Sequence, residues 1–135
     1  MATLADLRTG IATNLGAITG LRTSSFVPDD PKPPVAVVMP DTITFDRSFG
    51  RGLDEYRFTV MVIVGKVSDR AAQAALDAYC NPTGASSIKT ALEADTTLGG
   101  RCADLRVTEM RNYQSLTVGE VTYLAAEFVV QLYAQ

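Results

Sequence analysis

The stretch from Asp54 to Lys66 alternates without a break, and it constrains the fold more than any other part of the chain. Tyr56, Phe58, Val60, Val62 and Val64 fall on one side of an extended chain, and Arg57, Thr59, Met61 and Ile63 on the other. The run before it, Asp41 to Phe49, alternates too, with Ile43, Phe45, Arg47 and Phe49 on one face and Thr42, Thr44, Asp46 and Ser48 on the other. Gly50-Arg51-Gly52 lies between them as a turn, so the two runs are expected to pair as an antiparallel hairpin.

Further strands flank this hairpin. Leu21 to Val27 reads as a strand, followed by a proline-rich loop from Pro28 to Pro34. Val35 to Met39 is a short apolar strand that Pro40 is expected to stop. Toward the C-terminus, Leu105 to Tyr113 and Leu116 to Val118 precede Gly119-Glu120, a two-residue hairpin turn, and a last strand runs to about Tyr133. On that strand Leu124, Phe128, Val130 and Leu132 face the core, and Tyr123, Glu127, Val129, Gln131 and Tyr133 face away.

Three helices complete the pattern. Thr3 and Asp6 form a capping box for a helix carrying Leu4, Leu7, Ile11, Leu15 and Ile18 on one face and ending at Gly20. Ser68 or Asp69 caps a second helix that buries Ala72, Leu76, Tyr79 and Cys80. Ser86 or Ser87 caps a short third helix with Ile88, Ala91 and Leu92 inward. The order predicts one α+β domain over residues 1–135: an antiparallel sheet, an N-terminal helix and a mid-chain helix pair packed on it, and a protruding hairpin.

Composition then narrows the function. The chain has no histidine, which removes His-based triads, imidazole proton shuttles and nearly every catalytic zinc site. A net charge of −3 argues against a nucleic-acid binder. Cys80 and Cys102 read as small buried hydrophobes, because two cysteines make no disulfide framework and their spacing fits no zinc motif. No apolar run reaches the length of a membrane helix, and MATLADLR lacks a signal-peptide pattern. Gly50-Arg51-Gly52 lies between strands and lacks the phosphate-loop pattern. Asp29 and Asp30 have no further carboxylates at ligand spacing nearby and read as solvated loop acids. Glu109 and Glu127 are read as partners of Arg106 or Arg111 across the sheet rather than as an acid/base pair. No catalytic set, metal or cofactor is expected.

One feature exceeds an ordinary small domain. Met61, Ile63, Val121, Tyr123, Val129 and Tyr133 give the sheet an apolar second face, the kind of surface that partners cover. The arm from Asp41 to Asp54 adds Phe45 and Phe49 as apolar area and Arg47 and Arg51 as planar forks for carboxylates. Phe45, Arg47, Phe49, Arg51, Tyr123 and Tyr133 are therefore the candidate contacts with another subunit. The competing reading has Phe45 packed on its own domain and the arginines in solvent.

At this point the chain resembles the tail terminator proteins of long, non-contractile-tailed bacteriophages. The resemblance rests on the opening amphipathic helix, the strand entry Pro33-Pro34-Val35-Ala36-Val37-Val38 and the stretch from Phe49 to Val60. It continues in Ser68 to Gln73, Leu76 to Tyr79, Asp104 to Glu109 and the Val118-Gly119 hairpin. The resemblance implies a virion subunit that assembles as a ring, usually hexameric, at the tail–neck junction after synthesis in the host cytoplasm. Such a ring caps the tail tube, ends its polymerisation and docks the neck of the head. The implied partners are further copies of the chain, the tail tube protein and a neck protein, with DNA passing through the lumen and no membrane. A head-completion or stopper protein of the same particle is the nearest alternative, and a small hydrolase or ligand-binding protein a distant one.

Overall fold

The computed structural model describes residues 3–18, 21–24, 34–45, 54–66, 70–84, 86–118 and 121–134. The elements, in chain order, are α1 (Leu4–Leu15), β1 (Arg22–Ser24), β2 (Val35–Thr44), β3 (Asp54–Lys66), α2 (Arg70–Cys80), α3 (Ile88–Glu93), β4 (Asp104–Val118) and β5 (Val121–Ala134). They make an α+β fold in which one five-stranded sheet has the order β1-β2-β3-β5-β4. The alternating stretch is β3, at the centre of that sheet, antiparallel to β2 on one side and to β5 on the other.

The sheet departs from the expected one in three ways. β1 begins at Arg22 and pairs parallel to β2, so the sheet is mixed at that edge, while residues 25–27 of the expected strand lie outside the described residues. Pro40 does not stop β2. The strand runs through it to Thr44, and its register against β3 shifts between Pro40 and Thr42. A bulge there lets a residue without an N–H sit in the strand without losing the ladder on both sides. Two expected strands are therefore one. β4 likewise runs unbroken from Asp104 to Val118, with register shifts at Val107/Glu109 and Arg111/Gln114. Asn112 takes a left-handed conformation (φ 55°) at the second shift, a conformation that asparagine tolerates better than most residues. Val118 pairs with Val121, the register that a two-residue link requires. The tips at residues 46–53 and 119–120 lie outside the described residues.

The helices share one face of the sheet. Thr3 and Asp6 form the expected box: the Asp6 N–H donates to Thr3 Oγ1 (3.1 Å) and the Thr3 N–H to Asp6 Oδ2 (3.0 Å). The helix ends earlier than Gly20, at Leu15, where the Gly16 N–H donates to the Ala12 carbonyl (3.0 Å). Ile18 is buried all the same, by the turn that follows. Ser87 caps α3, accepting from the Thr90 N–H (3.2 Å). The expected caps of α2, Ser68 and Asp69, lie outside the described residues. α1 packs on β1, β2 and α3, α2 on β3 and β5, and α3 on β4. The main core, including Leu7, Ile11, Phe58, Leu76, Leu92 and Leu132, lies between this layer and the sheet.

Asn14 ties the helices together. Its Nδ2 donates to the carbonyls of Leu92 and Asp95, both at 3.0 Å, and so supplies acceptors at the end of α3 with a donor from α1.

Candidate functional site

The second face of the sheet carries two zones. At the end where β3 finishes and β5 begins, Val35, Val37, Met61, Ile63, Tyr123 and Ala125 form a separate apolar cluster, with Met39 and Val121 at its margin. Alternation predicts this grouping, but not its burial. Val37 and Ile63 are fully buried, and Met61, Tyr123 and Val129 nearly so, within the single chain. That corrects the expectation of an exposed apolar face: these side chains are already covered.

A salt bridge across the same face shows how the sheet is shaped. Arg111 on β4 reaches Glu127 on β5 (Nε to Oε1, 3.5 Å) and Asp41 on β2 (Nη2 to Oδ2, 4.0 Å). In a flat sheet β4 and β2 stand three strand spacings apart, about 14 Å. The contact therefore requires the sheet to curl over its second face, and the irregularities at Asn112 and Pro40 supply the bending. Asn112 Nδ2 also donates to Glu127 Oε1 (3.1 Å). Of the two partners expected for Glu127, Arg111 is the one observed, and Glu109 lies opposite Val129 instead of facing Glu127.

The other zone lies at the opposite end, at the root of the arm. Glu55 and Tyr133 are paired in register there, and Thr44 pairs with Glu55 from the far side. Gln131 Nε2 donates both to Glu55 Oε1 and to the Tyr133 hydroxyl (3.1 Å from the latter). Glu55 is 6% exposed, a buried carboxylate held by a neutral donor. Phe45 follows directly on β2 and is 68% exposed, the most exposed large apolar side chain among the described residues. Packing of Phe45 on its own domain does not describe this geometry.

The expected contact residues thus divide. Phe45 and Tyr133 stand at the same end of the sheet, Phe45 in solvent and Tyr133 half-buried in the Gln131–Glu55 network. Tyr123 lies ten residues up β5 from Tyr133, roughly 30 Å away at the rise of a strand, and is buried in the apolar cluster. Arg47, Phe49 and Arg51 lie outside the described residues.

A second exposed patch escaped the sequence reading. Met110 (40% exposed) and Tyr113 (37%) sit on β4 beside the end of α2. A pocket of about 220 Å³ opens there, lined by Cys80, Pro82, Met110 and Phe128 among others. The Tyr113 hydroxyl donates to Asp77 Oδ1 (2.7 Å), and this bond to a carboxylate pushes the phenol up to about 12. Burial pushes the Cys80 thiol up to about 11, with the Asp77 charge adding to it. Burial does the same to Cys102, also to about 11, assisted by Asp104 and Asp95. Both cysteines are free, and neither is an activated nucleophile. Among the described residues no group of three or more His, Cys, Asp or Glu side chains is placed to hold a metal ion, and no helix is long and apolar enough to cross a membrane.

Compared with known proteins, the chain matches no family model, and no curated protein matches it.

Proposed function

We propose that this chain is a structural subunit of a tailed phage that assembles as a ring, caps the tail tube and presents its other side to the neck. The observation that carries the reading is Phe45, a large apolar side chain held in solvent at the root of the arm. An aromatic side chain left exposed while the apolar cluster on the second sheet face is buried marks a place where a partner docks. The neighbouring sequence supplies Arg47, Phe49 and Arg51, the residue types that concentrate binding energy at interfaces. The resemblance to tail terminators gives the partner: an adjacent copy, or the end of the tube. The net charge of −3 recurs in every copy, so a ring of such subunits is acidic and repels the DNA that passes through it.

The test separates folding from assembly. Phe45→Ala alone removes an exposed side chain, and both it and Phe49→Ala with Arg51→Ala are expected to melt like the parent. Native mass in solution and capping of purified tail tubes are expected to fail in both, with affinity at least about tenfold weaker. Normal rings and normal-length tails from all of these variants would remove the arm and this reading with it. Tight DNA binding by the parent protein at physiological salt would contradict the acidic lumen.

A further inference from the structure

We propose that the cleft between α1 and β1 is a binding site for one carboxylate, presented by an acidic side chain of another polypeptide, with Arg8 as its cation. The cleft holds about 380 Å³ and none of its described lining residues belongs to the arm, so this inference stands apart from the ring reading. Arg8, Thr9, Ala12 and Thr13 line it from α1, Thr23 from β1 and Val38 from β2.

Arg8 is the reason to expect an anion. Its Nε is buried and has no hydrogen-bond partner. A guanidinium sealed along one edge has lost part of its hydration, and this chain returns nothing to that edge in exchange. An anion in the cleft offsets that loss through the remaining N–H groups of the guanidinium. The planar fork of an arginine suits a carboxylate's two oxygens.

The remaining walls select what carries the charge. Among the described residues that line the cleft Arg8 is the charged one, and a monoanionic carboxylate balances it, whereas a phosphate dianion leaves a charge in excess. The volume exceeds a bare carboxylate and suits an aspartyl or glutamyl side chain with its flanking backbone. Ala12 and Val38 offer apolar area to a methylene stem. Thr9 and Thr23 offer hydroxyls to backbone amides, and Thr13, whose hydroxyl donates to the Thr9 carbonyl (2.9 Å), keeps its own oxygen as an acceptor.

The probe is N-acetyl-glutamate N-methylamide, titrated into the full chain while the Arg8 side-chain resonances are followed by NMR. N-acetyl-glutamine N-methylamide, of the same shape without charge, is the control, and inorganic phosphate the competing anion. The expected result is a saturable shift at Arg8 with the glutamate compound, at least about tenfold weaker with either of the others. Arg8→Gln is expected to abolish it and Arg8→Lys to weaken it, with melting temperatures near the parent's because the buried Nε makes no hydrogen bond that the substitution would break. Equal shifts with the glutamine compound would show a neutral cleft and overturn the proposal. Tighter binding of phosphate would replace the carboxylate with another anion. A glutamate response that survives in Arg8→Gln would place the site elsewhere.

Discussion

Glu93 shows how one side chain can join elements that sequence keeps apart. Its Oε2 accepts from Lys89 Nζ (2.6 Å) one turn earlier and from the Val107 N–H (3.0 Å) on β4. Burial works against its ionisation, but the hydrogen bonds from Lys89 and Val107 outweigh it and hold the carboxyl below the ordinary glutamate range. The unfolded chain therefore binds this proton at higher pH than the folded one, and stability rises with pH across that interval. The contribution is complete above the ordinary value, about pH 4.3, and is lost as pH falls through the lowered folded value. Glu93→Gln is expected to be less stable than the parent in urea at neutral pH, with a narrower gap in a second titration at a pH below the ordinary glutamate value. An equal gap at both pH values would show that the carboxylate's charge is not what matters.

At the scale of elements, α1 lies where it does because Gly10 has no side chain. A Cβ there would stand 2.8 Å from the Leu98 Cβ and 3.3 Å from Arg101 Cδ. Leu98 is buried and takes a left-handed backbone (φ 51°), so the turn that carries it has little freedom to retreat. Glycine in mid-helix costs about 1 kcal/mol relative to alanine, yet here the larger residue loses more through the clash. Gly10→Val is expected to destabilise the fold by about 1–3 kcal/mol in a urea titration, with helix content retained. A stabilised variant would mean that α1 is free to shift on the Leu98 turn. β2 and β4 make the complementary point: an irregular residue inside a strand, Pro40 or Asn112, bends the sheet without ending it.

For the whole molecule, both thiols report on opening. With their values pushed up to about 11, Cys80 and Cys102 carry roughly a hundredfold fewer thiolates near neutrality than an ordinary cysteine. Cys102 is also only 8% exposed. Alkylation by iodoacetamide at mildly alkaline pH is expected to be slow at both in the native protein and fast in urea, with Cys102 following global unfolding. Rapid native labelling of Cys102 would mean that the Thr96–Asp104 region opens locally. The proposed ring assembly, tested through Phe45, belongs to the same scale, since it asks what a folded chain does with the large apolar side chain that is most exposed among the described residues.

Much of this molecule was legible in its residues. The central strand, the two faces of β3 and β5, the Thr3–Asp6 box, the Ser87 cap and the α+β class follow from alternation, helical spacing and capping, which are local and need no partner far along the chain. The merging of Val35–Met39 with the following run was not legible, because whether proline ends a strand depends on which side of it needs a donor. Nor was the covering of the second face: period two tells which residues share a face, but curling of the sheet decides whether that face meets water. Phe45 could be named from its residue type, while its exposure, the buried edge of Arg8 and the bonds from Asn14 to α3 depend on chain segments brought together by packing. Local pattern determined the elements and their faces. Only the tertiary structure decided which apolar side chains were covered and which polar groups were left without a partner, because burial is set by what other elements leave uncovered.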